Sequence, residues 1–215
     1  MDFLEKDWLY FFWKKQWLPS VYGDGYSFLD SFEGILDNVN YSQNLTQIVQ
    51  NQNVNFGREK EFWLLNRLDN DTWWLLYFAS NQDIYDEYKS LQKSWKISKI
   101  YIADVQGKFS FDKTIIVYPI MHHKHLDDRM VAVKSSKYLS KCRGKQNICQ
   151  TYVQNLYYNE EMNTSTLMVS ITKWVRHQIR VHLSSIGYPI IWDRLYSKIK
   201  SEENLHLRSI WLQIS

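Results

Sequence analysis

Two short segments hold the residues whose types and spacing could do chemistry. One runs Asn66-Arg67-Leu68-Asp69 and places a carboxylate in a polar loop between two apolar runs. In the other, Arg176 and Arg180 are spaced to share one face of a predicted helix. A loop carboxylate can act as a nucleophile or stabilise a developing positive charge, and a nearby arginine would keep it ionised. Taken alone, the first segment also fits a loop salt bridge between Arg67 and Asp69, and the second fits a solvated basic face of a helix.

Apolar runs and amphipathic spacings predict the elements that must position these segments. Strands are predicted at residues 8–12, 75–79, 101–105, 130–133, 149–157 and 167–171. One helix is predicted over 82–94, and a second carries Ile179, Leu183 and Ile186 on one face before Gly187 and Pro189 end it. The polar stretch 38–55 predicts loops and a short helix. Because strands dominate without a βαβ rhythm, we expect an α+β fold on a mixed, largely antiparallel sheet.

Composition excludes several classes of protein. The chain has 215 residues, of which 45% are hydrophobic and 23% charged, which excludes disorder, collagen and a coiled coil and favours one domain. Asp2, Glu5 and Asp7 argue against a secretory leader, so a cytoplasmic protein without a membrane segment is expected. Cys142 and Cys149 match no metal or redox spacing and are predicted to be free thiols. The net charge of +3 permits local contact with nucleic acid without demanding it.

Three histidines could suggest a metal site, namely His122, His123 and His125. Adjacent histidines on a strand point to opposite faces, and no carboxylate lies at the spacing of a zinc protease. A surface loop is therefore the favoured interpretation, and no metal is expected.

Taken together, the two charged segments resemble the motifs of RluA-type pseudouridine synthases. That family carries HRLDxxTSGLLLFA-like and TGxxHQIRxHLxxxGxPIxGDxxY-like motifs. This chain has NRLDNDTWWLLYFA at 66–79 and KWVRHQIRVHLSSIGYPIIWDRLY at 173–196. Residues 99–103 match the family's KxYxA strand, and 15–19 match its opening KPxGxP-type loop. The resemblance spans nearly the whole chain in the right order.

The resemblance implies an enzyme that converts uridine in RNA to pseudouridine. It implies the pseudouridine synthase fold, one catalytic domain over residues 1–215 without an S4-like RNA-binding module, and neither cofactor nor metal. RNA, either ribosomal or transfer RNA, is the implied partner, and no protein partner is implied. The target base must leave its stack, because the reacting atoms are unreachable inside a helix.

The resemblance also implies roles for individual residues. Asp69 matches the family's essential aspartate, Arg180 its basic partner, and Tyr101 the tyrosine that stacks on the flipped uracil. Whether the carboxylate attacks the ribose, attacks the base or removes a ribose proton stays open. Contacts to RNA are implied for four further residues: Arg67, Lys173, Arg176 and His177.

The departures from the motifs concentrate in tryptophan. The chain has 10 Trp and 7 Gly, where average usage gives about 15 Gly in this length. Six tryptophans fall where the family or related sequences place glycine: Trp17, Trp63, Trp74, Trp174, Trp192 and Trp211. One hypothesis is that the gene uses UGA for glycine and was translated with a tryptophan code. The alternative is a divergent protein that has lost these glycines.

Two other functions stay open from the sequence. A catalytically impaired RNA-binding protein on the same fold would follow if the tryptophans are real. A small-molecule α+β enzyme is the third reading, since the net charge does not demand RNA. Asp69, Tyr101 and Arg180 are all present, which favours the enzyme.

Overall fold

The computed structural model describes residues 3–6, 9–15, 20, 64–79, 81–198 and 203–214. Within it the chain divides into two compact units, residues 1–94 and 95–215. The predicted elements at 38–55 and the loop 16–19 lie outside the described residues. No helix of the described residues combines the length and the apolar character needed to cross a bilayer.

The first unit pairs three antiparallel strands and carries one helix. Strand β1 (Phe3–Lys6) pairs with β2 (Leu9–Lys14), which pairs in turn with β3 (Trp73–Ala79). The last five residues of β3 are all buried, as expected for a continuous apolar run. Helix α1 (Gln82–Lys93) begins at Asn81, whose side chain accepts the N–H of Ile84 at 3.0 Å.

The second unit is built on an antiparallel sheet with strand order β11-β4-β10-β9-β5. Its strands are β4 (Ile97–Gln106), β5 (Lys113–Ile116), β9 (Thr151–Asn159), β10 (Thr164–Ile171) and β11 (Leu207–Ile214). In β4 and β10 buried and half-buried residues alternate strictly, so one face of each strand enters the core. Tyr101 lies on that buried face, opposite Val169.

A smaller antiparallel sheet of order β7-β6-β8 belongs to the same unit. It consists of β6 (Ile120–His123), β7 (Met130–Ala132) and β8 (Cys142–Asn147), with a 3-10 helix (Ser136–Lys141) before β8. We call residues 118–149 the three-stranded module. Buried side chains join it to helix α2 (Gln178–Ser185), in a cluster of Ile120, Met130, Ala132, Cys149 and Val181.

The sequence predictions hold for both described helices and for six of the eleven described strands. The predicted strands and both helices are present with ends shifted by a few residues, and Gly187 has the positive φ of a helix end, +93°. Strands β1, β5, β6, β8 and β11 were not predicted. The loop predicted for His122 and His123 is wrong, because both residues lie in β6, whereas His125 is exposed in the following turn.

Candidate active site

The loop that carries Asp69 is held by a buried lysine at the end of β2. Lys14 is 1% exposed, and its Nζ donates to the carbonyl oxygens of Thr72 at 2.7 Å and of Asn70 and Lys15 at 3.1 Å. The N–H of Thr72 donates to the carbonyl of Asp69 at 3.0 Å and closes the turn. All three donors of the ammonium group therefore have acceptors, two of them in the Asp69 loop.

Two more buried polar side chains fix the same loop from other directions. The Ser20 hydroxyl donates to the carbonyl of Leu68 at 3.1 Å and accepts its N–H at 3.0 Å. The Asn66 side chain accepts the N–H of Tyr77 at 2.8 Å and donates to the carbonyl of Leu75 at 3.3 Å. Asn66 thus fastens the start of the loop to β3, which explains a buried polar residue at this position. Asp69 itself is half-buried at the loop's centre.

Burial lowers the pKa of Lys14 to about 8, while the charges of Asp69 and Asp71 oppose this shift. Lys14 is therefore mostly protonated at neutral pH and loses its charge as the pH rises through about 8. A neutral amine has one donor fewer, so one of the three carbonyls, two of which belong to the Asp69 loop, then loses its hydrogen bond.

We predict that catalytic activity falls as the pH rises through about 8, because the Asp69 loop loosens when Lys14 is neutral. Lys14→Met should lower kcat at pH 7 by about tenfold or more, as expected for lost charged hydrogen bonds, and should lack this alkaline limb. The measurement is a pH profile of kcat for both proteins. The exposed neighbour gives the control Lys15→Met, which should keep the limb, and an unchanged limb in Lys14→Met would assign it to another group.

Arg67 lies on the outside of this loop. Its side chain is exposed, and its charge acts together with the larger effect of burial to lower the pKa of Lys89 on helix α1. The guanidinium is therefore near Lys89, and its exposure makes it accessible to a ligand.

In the second unit, Arg180 is locked by a buried carboxylate. Arg180 is 1% exposed, and its Nε and Nη2 each donate to one oxygen of Asp193 at 2.8 Å. The Asp193 oxygen Oδ1 also accepts the N–H groups of Leu195 and Tyr196 at 2.9 and 3.1 Å. The Tyr196 ring lies 5.5 Å from the guanidinium carbon. This bidentate geometry fixes the plane of the guanidinium within the core.

The other polar residues of the HQIRxH segment fasten helix α2 to strand β9. Gln178 accepts the N–H of Val175 at 3.1 Å and donates to the hydroxyl of Thr151 at 3.1 Å. His182, fully buried, contacts that hydroxyl through Nδ1 at 2.7 Å and the carbonyl of Tyr118 through Nε2 at 2.8 Å. Since Nε2 needs a hydrogen to bond a carbonyl, Nδ1 is the acceptor of a neutral ring. Burial lowers the pKa of His182, in agreement with the neutral form.

The remaining predicted site residues of this unit differ in exposure. His177 is buried, has a φ of 54° and bonds the Tyr196 hydroxyl through Nδ1 at 2.8 Å. Arg176 is exposed and donates to the carbonyl of Asp127 at 3.1 Å. The ammonium of Lys173 lies 5.6 Å from the Trp95 ring.

Comparison with known proteins places this chain. The family model described as RNA pseudouridylate synthase matches residues 10–185, a span that includes the Asp69 loop, Tyr101 and Arg180. The chain belongs to the RNA pseudouridine synthase family. The resemblance drawn from the motifs is thereby confirmed.

Individual relatives agree with this family assignment. Human pseudouridylate synthase RPUSD2 is 29% identical over 140 residues, 65% of this chain and 24% of that protein. Ribosomal large subunit pseudouridine synthase D of Buchnera aphidicola is 31% identical over 136 residues, 63% of this chain and 39% of that protein. The chain thus spans a quarter to two fifths of the length of these relatives.

A solved structure shows the shared fold. Human RNA pseudouridylate synthase domain containing 4 superposes with a TM-score of 0.66 at 19% identity, covering 98% of this chain and 82% of that one. The predicted α+β pseudouridine synthase fold is confirmed.

Sequence reasoning predicted Asp69, Tyr101 and Arg180 as the catalytic residues and missed the side chains that hold the Asp69 loop and Arg180. Lys14, Ser20 and Asp193 were given no role, although Asp193 stands in the quoted WDRLY segment. The partner found for Arg180 is Asp193, and its pairing with Asp69 stays a prediction. The one available signal was Asp193, since a carboxylate that follows the apolar run Ile190 to Trp192 needs a partner if it is buried.

Proposed function

We propose that this chain is an RNA pseudouridine synthase that isomerises specific uridines in ribosomal or transfer RNA, with Asp69 as the catalytic carboxylate. The observation that carries the proposal is the Asp69 loop. The aspartate that matches the family motif is half-buried in a loop whose backbone is fixed by Lys14, Ser20 and Asn66. Such preorganisation is what a group acting on a developing charge requires.

The reaction needs no external reactant. The bond between the ribose C1′ and N1 of uracil breaks, the base turns, and C1′ bonds to C5. The hydrogen of C5 leaves as a proton, and N1 takes one up. Asp69 would stabilise or trap the electron-poor C1′, or act on the ring, while Tyr101 would stack on the turned base and Arg180 would orient the carboxylate.

Contacts to the RNA are proposed for the four basic residues named from the motif. Arg67 and Arg176 are exposed and suited to phosphate contacts, and Lys173 is half-buried. His177 is buried, so its contribution would come through the loop it shapes with Tyr196. The name of the Buchnera relative supports ribosomal RNA as the substrate, with transfer RNA as the alternative.

The proposal includes one catalytic domain that needs no cofactor or metal. The single domain is supported by the family match over 10–185, because this match includes residues of both units. A cytoplasmic location fits a ribosomal or transfer RNA substrate.

The test is release of tritium from RNA labelled at C5 of uridine, because only a uracil that loses its C5 hydrogen exchanges the label. Ribosomal and transfer RNA are offered separately, and the pseudouridine formed is located by carbodiimide adduct formation followed by primer extension, because pseudouridine and uridine have the same mass. Release from one RNA at a defined uridine is expected. No release from either RNA, with RNA binding retained, would favour a non-catalytic RNA-binding protein on this fold.

A further inference from the structure

The net positive charge of this chain is concentrated in the three-stranded module. Residues 118–149 hold seven Lys and Arg against two Asp, a net charge of +5, whereas the whole chain carries +3. The rest of the chain is therefore at −2. Such a local excess of positive charge is typical of a surface that binds phosphates.

Most of these charges point to solvent. Lys124, Lys137, Lys141 and Lys145 are exposed, and none of them forms an ion pair with any described residue. The ion pair within the module joins Arg143 to Asp127. The N–H of Lys124 donates to the carbonyl of Lys141 at 2.8 Å, so the end of β6 and the start of β8 carry their lysines side by side.

The charged surface continues toward the HQIR segment. Asp127 receives Arg143 at its carboxylate and Arg176 at its carbonyl, so one turn of the module links both arginines. Buried contacts of Val181 with Ile120 and Met130 fix the module on helix α2, which carries Arg180. The module is thus rigidly attached to an element of the proposed site.

We propose that the three-stranded module is a docking surface for the RNA backbone that flanks the modified uridine. This rests on the proposed function. The occupant is RNA, because clustered, solvated lysines without acidic partners match a strand of phosphates and gain affinity by releasing counterions. Recognition here would be independent of sequence and would position the strand.

The experiment compares two triple variants with the wild type. One removes Lys137, Lys141 and Lys145 by substitution with Gln, and the matched control does the same to the exposed Lys93, Lys108 and Lys113. Kd for the RNA substrate is measured across salt concentrations. Loss of three phosphate contacts should lower the slope of log Kd against log salt by about 2 for a single strand.

The control triple should keep the wild-type slope. Equal changes in both triples would overturn the proposal, since total charge would then explain the effect. Absence of C5 tritium release from the wild type would instead contradict the proposed function, so the two failures are distinguishable.

An independent observation concerns backbone strain at tryptophan. Among described residues, five that are not glycine have positive φ, and three are tryptophans: Trp74 at 90°, Trp95 at 60° and Trp192 at 58°. The three described glycines, Gly107, Gly144 and Gly187, also have positive φ. Such φ values are uncommon for residues other than glycine and are outliers for bulky ones, and 90° lies outside the left-handed region open to L-residues.

The positive φ favours glycine at all three positions, and Trp95 also stands at a helix end. Trp95 directly follows Ser94, the last residue of the α1 cap, which is the place where helices commonly end on glycine. Trp192 precedes Asp193, the partner of Arg180, and Trp74 pairs with Lys14 at the start of β3. Trp174 and Trp211 have ordinary φ, and Trp17 and Trp63 lie outside the described residues.

We infer that residues 74, 95 and 192 are glycine in the protein as its source makes it, encoded by UGA and translated here as tryptophan. Codons at these positions and peptide masses of the native protein test this directly. UGA codons with glycine masses are expected. UGG codons or tryptophan masses would overturn the inference.

A second measurement uses the recombinant chain. The triple variant Trp74→Gly, Trp95→Gly, Trp192→Gly should raise Tm by about 10 °C, because relieving left-handed backbone strain at three sites stabilises the fold. Trp73→Gly is the control, since Trp73 lies in the same strand with ordinary φ and should lower Tm. A lower Tm in the triple variant would show that the indoles are part of the native packing.

Discussion

Asp69→Asn should reduce the kcat of pseudouridine formation by at least about a thousandfold, or about 4 kcal/mol of transition-state stabilisation. The amide keeps the size of the side chain, while the loop retains the contacts of Lys14, Ser20 and Asn66 to its backbone. The loss therefore reports the charge and nucleophilicity of the carboxylate. Tritium release from C5-labelled RNA measures it.

Asp71→Asn provides the matched control for this prediction. Asp71 lies in the same loop, is also half-buried, and its charge acts on Lys14 as that of Asp69 does. It should change kcat by less than about tenfold, which is the range for a lost remote charge. The thermal midpoint and RNA affinity of Asp69→Asn should stay near the wild type. If Asp69→Asn kept a tenth of the activity, or both variants lost it alike, another group would carry the chemistry.

The long elements were predictable because their patterns are local. Ile84, Tyr88 and Leu91 repeat at helical spacing, and the continuous run from Leu75 to Ala79 is buried throughout. Strands β5 and β8 were not predictable, since β8 is mostly exposed and β5 alternates without a clear apolar face. Short exposed strands are set by their partners, which a periodicity cannot show.

The candidate site was also predictable only in part. Candidate catalytic residues could be predicted because motifs preserve residue types at fixed spacing, whereas the side chains that support them come from distant positions. Two adjacent lysines at the end of a strand look alike in the sequence, yet Lys14 is buried in the Asp69 loop and Lys15 is exposed. Only tertiary packing decides which of the two loses its water.

Removing the partner of Arg180 gives the largest expected effect on stability. Asp193→Asn should lower the free energy of unfolding by about 3–5 kcal/mol, because it breaks a buried bidentate ion pair by removing the charge of one partner. Arg180 and Asp193 are 1% and 0% exposed, so water cannot compensate. The loss is a large part of a typical domain's total of about 5–15 kcal/mol. Urea unfolding followed by circular dichroism measures it.

Two further variants separate the role of this pair in folding from its role in catalysis. Asp127→Asn breaks the ion pair with Arg143, in which the Arg143 side chain is 50% exposed and that of Asp127 88%. Because this pair is exposed, the variant should lose less than about 1 kcal/mol of unfolding free energy. The double variant Arg180→Met, Asp193→Leu replaces both charges with apolar groups and should regain most of the lost stability. If Arg180 orients the Asp69 carboxylate, that refolded double variant stays inactive. The prediction would be contradicted if the unfolding free energies of Asp193→Asn and Asp127→Asn differed by less than about 1 kcal/mol. The buried pair would then not be what holds helix α2 in place.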